Sequence, residues 1–359
     1  MRLIPLRHAR LWEPPEPPAA PAVVYLDGHT DIVRAVSASP DGKYLVSAGT
    51  DGRVIIRPVE RPNEARVIGP SANMRYECLA ISRDSQFALA SGHLNFVGSN
   101  SPIEKISLAD GRVEQLKLPE ASHVWHLFLC DNDSKVAYVG RFANEETIRL
   151  AELATGRDLG RWPVFVGAVP AGKVVFYSHT YALSPDGRHV AIAAGKSPVS
   201  RLVPYKLSVL EMDGNRRLIS ERDPFQQGRA VLPHFPDANT LDFYLPSGTV
   251  RRWTYSPDGG VWLEHDTRPF PPLRIGEPFT RPLTPTGDTI WLGLDHLLIG
   301  LDAATGRATT TILLRPPPGS ESNAAQPITA VTPIPHTTQL AVGLWNGRVA
   351  IVDTARRQP

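Results

Sequence analysis

The feature that most constrains the fold of this chain is an internal repeat that joins its two ends. Residues 33–57 align without a gap with residues 328–352. The identical pairs are spread across three strand-like stretches that two turns separate, and they include Ala35/Ala330, Val36/Val331, Leu45/Leu340, Gly52/Gly347, Arg53/Arg348, Val54/Val349 and Ile56/Ile351. A repeat at both ends of a chain indicates an architecture built from one recurring unit.

Weaker copies of the same unit fill the middle of the chain, each with a polar turn between two apolar runs. The turns are Asp41-Gly42, Asp84-Ser85, Asp133-Ser134, Asp186-Gly187, Asp237-Ala238, Gly287-Asp288 and His336-Thr337. Their spacing of roughly 43 to 53 residues is typical of a four-stranded propeller blade. The apolar runs are short and rich in Val, Ile, Leu and Tyr, and helical spacing is nearly absent. We therefore predict an all-β fold, a seven-bladed β-propeller of four-stranded antiparallel blades.

The two ends of the chain predict how such a ring closes. The last unit supplies only three strands, whereas an additional strand-like run, Ala22 to Leu26, precedes the first unit. Pairing the two would remove two exposed sheet edges, so we predict that an N-terminal strand completes the last blade. Residues 1–21 are predicted to be a Pro-rich N-terminal arm, because the run Pro14 to Pro18 favours an extended spacer, and residues 22–359 to be the propeller.

Composition limits the classes of protein. With 42% hydrophobic and 21% charged residues the chain can bury a core, and a net charge of +2 does not favour nucleic acid or a membrane as partner. No apolar run near 20 residues is present, which predicts a cytoplasmic protein. Cys78 and Cys130 both lie in strand-like segments, which favours free buried thiols over a disulfide.

The first unit resembles the repeat of the WD-repeat β-propeller family. The resemblance rests on Gly28-His29, Ser39-Pro40-Asp41-Gly42, Ser47-Ala48-Gly49 and Asp51-Gly52. It implies a structural hydrogen-bonded cluster of His29, Ser47 and Asp51. Arg57-Pro58 stands where the family has Trp-Asp, although the Trp is present at Trp253 and the final Asp at Asp353.

The function that this resemblance implies is that of a non-catalytic scaffold, which presents one propeller face and the channel mouth to a partner protein in a larger complex. Alignment with Arg34 assigns Glu77, Trp125, His179 and Thr329 to the channel mouth. Loops on the same side add further candidates, so the predicted partner-binding residues are Arg34, Glu77, Trp125, His179, Trp345, Arg141 and Lys196. The alternatives are that the enlarged loops, including 141–147 and 196–205, are tolerated insertions and that Trp125 packs between blades.

Two rival functions remain open. One is a hydrolase or lactonase-like propeller enzyme with a metal in the central channel. Against it, Glu77 and His179 are the only plausible ligands at equivalent positions of the units. His123 and His126 are three residues apart in a strand, so they point to opposite faces and cannot readily share a metal. Sequence motifs for metal binding, a catalytic nucleophile or phosphate binding are absent. We therefore predict no enzyme activity, metal or cofactor. The other is polyanion binding, for which the basic candidates are Arg141, Lys196, Arg201 and Arg281.

Overall fold

The computed structural model describes residues 21–70, 73–94, 100–142, 145–163, 177–196, 206–211, 216–220, 232–245, 249–256, 261–269, 284–286, 289–294, 296–302, 308–314 and 327–357. Within these ranges the chain forms β-strands and turns and no helix, which confirms the all-β prediction. A helix capable of crossing a membrane is accordingly absent from this part of the chain. The predicted N-terminal arm lies outside the described residues, except for Pro21, which begins the first strand.

The strands follow one another at short intervals. In the first half of the chain they are β1 (Pro21–Leu26), β2 (Val33–Ala38), β3 (Tyr44–Gly49), β4 (Val54–Pro58), β5 (Arg66–Ile68), β6 (Met74–Ile81), β7 (Phe87–Leu94), β8 (Glu104–Ser107), β9 (Val113–Gln115), β10 (His123–Cys130), β11 (Lys135–Phe142), β12 (Glu145–Glu152), β13 (Asp158–Pro163) and β14 (Tyr177–Leu183). In the second half they are β15 (His189–Lys196), β16 (Lys206–Glu211), β17 (Arg216–Ser220), β18 (Leu232–His234), β19 (Thr240–Leu245), β20 (Thr249–Ser256), β21 (Val261–Pro269), β22 (Thr284–Thr286), β23 (Thr289–Leu294), β24 (Leu297–Asp302), β25 (Ala308–Leu313), β26 (Ile328–Pro333), β27 (Gln339–Leu344) and β28 (Val349–Arg357).

Consecutive strands pair antiparallel in groups of four. The groups are β2 to β5, β6 to β9, β10 to β13, β14 to β17, β18 to β21 and β22 to β25, and a further group combines β26 to β28 with β1. A single pairing of His93 with His123 links β7 to β10, so that the second and third groups share one eight-stranded sheet. Each predicted turn of the repeat falls between the first two strands of a group, but Gly287-Asp288 lies outside the described residues.

The group that contains β26 to β28 joins the two ends of the described chain. Strand β1 pairs antiparallel with β28, from Ala22 opposite Asp353 to Leu26 opposite Val349. Leu26 is 3% exposed and packs in a cluster with Val349 of β28 and Val33 of β2. The N-terminal strand therefore contributes both backbone pairing and apolar burial to the sheet formed by the C-terminal strands.

Buried apolar side chains pack between consecutive sheets. Ile56 of β4 shares a cluster with Tyr76 of β6, and Val139 of β11 shares one with Ile192 of β15. The first strands β26, β2, β6 and β10 contact one another in that order. These four strands therefore form a continuous inner wall, which carries Arg34, Glu77, His123 and Trp125 of the site described below.

A Ser-x-Asp turn recurs between the first two strands of three groups, at Ser39/Asp41, Ser82/Asp84 and Ser184/Asp186. In the first, the Ser39 hydroxyl donates to Asp41 Oδ1 at 2.6 Å and accepts from the amide of Tyr44 at 2.9 Å. The bond from Ser39 lowers the pKa of Asp41 to about 2. The pKa of Asp84 is also lowered, mainly because the Ser82 hydroxyl donates to its carboxylate. Burial raises the pKa of Asp186, but hydrogen bonds from Ser184 and from the Arg188 amide outweigh this effect, so its pKa is lowered too.

We expect these turns to contribute to acid sensitivity. A carboxyl whose pKa is lowered by folding contributes stability above its unfolded pKa, near 3.8, and loses it as pH falls through the folded value. The wild type should lose unfolding free energy as the pH falls from about 5 to 2, and the triple variant with asparagine at Asp41, Asp84 and Asp186 should lose less. We expect the difference to be about 1 kcal/mol, after a discount for solvent screening of these partly exposed groups. Urea unfolding across this range measures it, and an unchanged pH dependence would contradict it.

Candidate functional site

The inner wall carries a β-bulge at each of four aligned positions. The pairing register shifts by one residue around Arg34 in β2, Glu77 in β6, Trp125 in β10 and Thr329 in β26. A bulge leaves one residue without a direct partner and redirects its side chain from the regular alternation of the strand. Four strands of the repeat thus present a side chain at the same place.

Glycine on the neighbouring strand accommodates the close backbone at two of these bulges. A Cβ on Gly92 would lie 1.9 Å from the carbonyl oxygen of Arg75, and one on Gly140 would lie 2.6 Å from that of His123. Real side chains do not tolerate such distances, so any larger residue at Gly92 or Gly140 would push the bulged strand away. The two glycines thereby permit the close approach of the strands at the bulges of Glu77 and Trp125.

Three side chains from the second and third groups form what we call the Glu–His cluster: Glu77, His93 and His123. The Nε2 of His123 donates to Glu77 Oε2 at 3.0 Å, and the Nδ1 of His93 lies 3.3 Å from Glu77 Oε1. The side chains of Glu77, His93 and His123 are 16%, 29% and 23% exposed. The two imidazole rings stack with centroids 4.7 Å apart. These contacts bring two nitrogen donors and one carboxylate to a single point.

Trp125 continues this stack, and its partly buried side chain packs against the apolar cluster that contains Tyr181 of β14. Its ring lies 4.4 Å from that of His123, and the guanidinium carbon of Arg141 lies 5.5 Å from the centroid of the Trp125 ring. Arg141 also approaches Glu146 of β12, with Nη2 at 3.7 Å from Oε1. Cation–π contact and stacking therefore hold the Trp125 ring in one orientation.

A second arginine–tryptophan pair joins the first and last groups. The guanidinium carbon of Arg34 lies 5.7 Å from the ring centroid of Trp345, which is 39% exposed. Trp345 follows β27, and its amide donates to the carbonyl of Pro327 at 3.0 Å. We call Arg34, Trp125, Arg141 and Trp345 together the Trp–Arg surface.

Five of the seven side chains that sequence analysis assigned to partner binding make contacts of this kind, in two separate groups. Glu77, Trp125 and Arg141 lie in one group of contacts, and Arg34 and Trp345 in another. His179 lies in β14 opposite Ala194 and Lys196 ends β15 opposite Tyr177, but the side chains of both lie outside the described residues. Unlike the four bulged strands, β14 keeps a regular register through His179.

Two expectations about this surface were wrong. Residues 141–147 do not form an enlarged loop: β11 continues to Phe142 and β12 begins at Glu145, because pairs such as Arg141 opposite Glu146 extend the hairpin. Thr329 does not face the channel mouth. It is 2% exposed, and its hydroxyl donates to the carbonyl of Val33 in β2.

The His29 cluster, which consists of His29, Ser47 and Asp51, lies within the first group. The Nδ1 of His29 donates to Asp51 Oδ1 at 3.0 Å, and in the neutral ring Nε2 then accepts from the Ser47 hydroxyl at 2.9 Å. The side chains of His29 and Asp51 are only 1% and 3% exposed. Burial raises the pKa of Asp51, but hydrogen bonds from His29 and from the amides of Thr30 and Arg53 outweigh it, so the pKa is lowered.

Arg57, which stands where the WD repeat has Trp, has contacts of its own. It is 5% exposed, its Nη2 donates to the carbonyl of Asp27, and its Nη1 donates to that of Pro62 at 2.9 Å. Gly28 lies against it, and a Cβ there would be 2.7 Å from Nη2. The guanidinium thus ties the segment before His29 to the loop after β4.

Comparisons with known proteins support the sequence resemblance. Residues 21–56 match the family described as WD domain, G-beta repeat. Over 56 residues, 16% of this chain, the sequence is 39% identical to ribosomal RNA-processing protein 9 of Saccharomyces cerevisiae, and the match spans 10% of that protein. The crystal structure of the β-propeller domain of Cps50 (Swd1) from Myceliophteria thermophila superposes with a TM-score of 0.62 at 17% identity, covering 94% of this chain and 100% of that chain. The resemblance to WD-repeat proteins is confirmed, and the fold is a β-propeller.

Proposed function

We propose that the chain is a seven-bladed propeller closed by β1, and that it acts in the cytoplasm as a non-catalytic scaffold for a partner protein within a larger complex. The grouping of strands in fours and the pairing of β1 with β28 support the ring. The WD-repeat match over residues 21–56 supports the scaffold role. A fold hosts many functions, so the argument for binding comes from the Trp–Arg surface.

The Trp–Arg surface is the observation that carries this proposal. Trp and Arg dominate the binding energy of protein interfaces when a partner excludes water from them. Here each of two tryptophans is already oriented by an arginine, at 5.7 Å for Arg34 and Trp345 and at 5.5 Å for Arg141 and Trp125. Side chains that are ordered before binding lose less entropy when the partner arrives. Arg34 and Trp125 also occupy equivalent bulges, which puts them at the same end of their strands.

Alanine variants of this surface should lose the partner. Affinity purification of the tagged chain followed by mass spectrometry identifies the partner, and binding of that purified partner is then measured for Trp345→Ala, Trp125→Ala and Arg34→Ala. We expect each to weaken binding at least about 10-fold. Val67→Ala is the matched control, because Val67 is also exposed, at 47%, but lies on the edge strand β5. Equal affinity of all four folded variants would refute the proposed surface.

A salt titration in the same binding assay tests the polyanion alternative. A polyanion held by basic residues would dissociate steeply as salt rises, and nuclease treatment would remove it if it were nucleic acid. The yeast relative's name refers to ribosomal RNA processing, which makes this control necessary. The metal-dependent hydrolase gains a donor set in the Glu–His cluster, which sequence analysis did not identify.

A further inference from the structure

We propose that the Glu–His cluster is a binding site for a divalent transition-metal ion such as Zn²⁺. The ligand atoms would be the Nδ1 of His93, the Nε2 of His123 and a carboxylate oxygen of Glu77. These atoms all lie within 4.8 Å of one another. This inference concerns ion binding by the chain itself, and none of the three ligands belongs to the Trp–Arg surface, although Trp125 of that surface stacks on His123.

The donor set suits such an ion. Two imidazole nitrogens and one carboxylate form a combination that protein zinc sites use, and three protein ligands leave a fourth position for water or another donor. Zinc bonds of about 2.0–2.1 Å in a tetrahedral site place ligand atoms about 3.3 Å apart. Each imidazole nitrogen already lies at such a distance from one oxygen of Glu77, His123 Nε2 at 3.0 Å from Oε2 and His93 Nδ1 at 3.3 Å from Oε1. Rotation of the imidazole rings would supply the remaining adjustment.

His93 provides the observation that favours a metal over a hydrogen-bonded network. Its Nδ1 is shielded from solvent and makes no hydrogen bond within the described residues, although Glu77 Oε1 lies 3.3 Å away. Burying a polar nitrogen without a hydrogen bond costs about 1–3 kcal/mol. A metal bond to this nitrogen would remove that cost.

The backbone around the cluster is arranged to hold the three ligands together. Residues 93 and 123 pair directly, so their side chains project on the same side of the sheet. Glu77 stands at the bulge of β6, where Gly92 permits the close approach of the two strands. The Trp125 ring covers His123, which limits access of water to that ligand. A site built on paired strands of this kind does not have to be assembled at the moment of binding.

The experiment is a titration of the full, metal-stripped chain with Zn²⁺, and with Co²⁺ as a spectroscopic probe. We expect one tightly bound ion per chain and a Co²⁺ spectrum typical of nitrogen and oxygen ligands in a four-coordinate site. Glu77→Gln, His93→Gln and His123→Gln should each weaken binding by at least about 100-fold, since the loss of a ligand costs more than the loss of a supporting contact.

The control must distinguish this site from adventitious binding by the other histidines, since the chain has eleven histidines in all and only two are proposed ligands. His126→Gln is matched, because His126 lies on the same strand β10 but packs against Tyr181, with ring centroids 4.8 Å apart. We expect this variant to bind Zn²⁺ as the wild type does. Equal loss in His126→Gln, or unchanged binding in all three ligand variants, would overturn the proposal, as would the absence of a stoichiometric ion.

A measurement on the unaltered chain covers the case in which a ligand variant does not fold. Crystals grown with Zn²⁺ and measured at the zinc absorption edge should show an anomalous peak within bonding distance of His93, His123 and Glu77. A peak elsewhere, or none in crystals exposed to excess Zn²⁺, would overturn the assignment. Neither result depends on whether the Trp–Arg surface binds a protein, so the two proposals fail separately.

Discussion

Replacing Leu26 by aspartate is expected to lower the free energy of unfolding by about 4 kcal/mol or more, since it combines lost apolar burial with a buried unpaired charge. Leu26 is 3% exposed and packs with Val33, Val349 and Ile351. These contacts connect β1 to β28 and to the first group of strands. The substitution therefore acts where the two ends of the described chain meet.

Equilibrium unfolding in urea measures this effect, with aggregation after a mild temperature increase as a second readout. Val24→Asp is the matched control, because Val24 is on the same strand, two residues earlier, but is 54% exposed. We expect the control to change the unfolding free energy by less than about 1 kcal/mol. Comparable effects of the two substitutions would show that β1 does not hold the sheet together through Leu26.

Replacing Asp51 by alanine should lower the free energy of unfolding by about 3 kcal/mol, because it leaves the buried ring of His29 and the amide of Thr30 without their acceptor. The carboxylate of Asp51 accepts from His29 at 3.0 Å and from Thr30 at 2.9 Å. Ser47 would then be the remaining side-chain partner of His29 within the described residues. Thermal and urea unfolding measure the effect.

The last repeat provides the control for this substitution. Asn346 is equivalent to Asp51, and its Oδ1 accepts from the amide of Arg348 at 3.2 Å, just as Asp51 accepts from Arg53 at 3.2 Å. Asn346 is exposed, whereas the side chain of Asp51 is 3% exposed. Asn346→Ala should therefore cost less than about 1 kcal/mol. If both alanine variants lower the free energy of unfolding equally, the effect comes from the turn hydrogen bond alone, and the His29 cluster contributes no stability of its own.

Sequence analysis predicted the elements that depend on local pattern. Each turn of the repeat separates two apolar runs, and alternation within a run indicates a strand wherever it occurs. The alignment from Arg34 also predicted equivalent positions at Glu77, Trp125, His179 and Thr329, and all of these except His179 are bulges. An alignment specifies the place of a residue in the unit, but whether its side chain is exposed depends on the neighbouring sheet. Thr329 is buried for this reason.

The Glu–His cluster could not be predicted from spacing. His93 is the next-to-last residue of the second strand of one group and His123 begins the first strand of the next, so their contact depends on how two groups meet. Sequence analysis compared one position in each first strand and considered His123 only beside His126. His126 instead contacts Tyr181 of the following group. A search for histidine at the ends of both the first and the second strands would have found the pair.

The pairing of β1 with β28 has a consequence for how the chain is made. Ribosomes release the amino-terminal part first, and some 320 residues separate Leu26 from its partner Val349. At about 5–20 residues per second, roughly 15–65 s pass before that partner is synthesised. Through this interval the backbone of β1 and the apolar side chain of Leu26 have no pairing partner in β28 of the same chain. The pairing of β1 with β28 can therefore begin only after nearly the whole described chain has been synthesised.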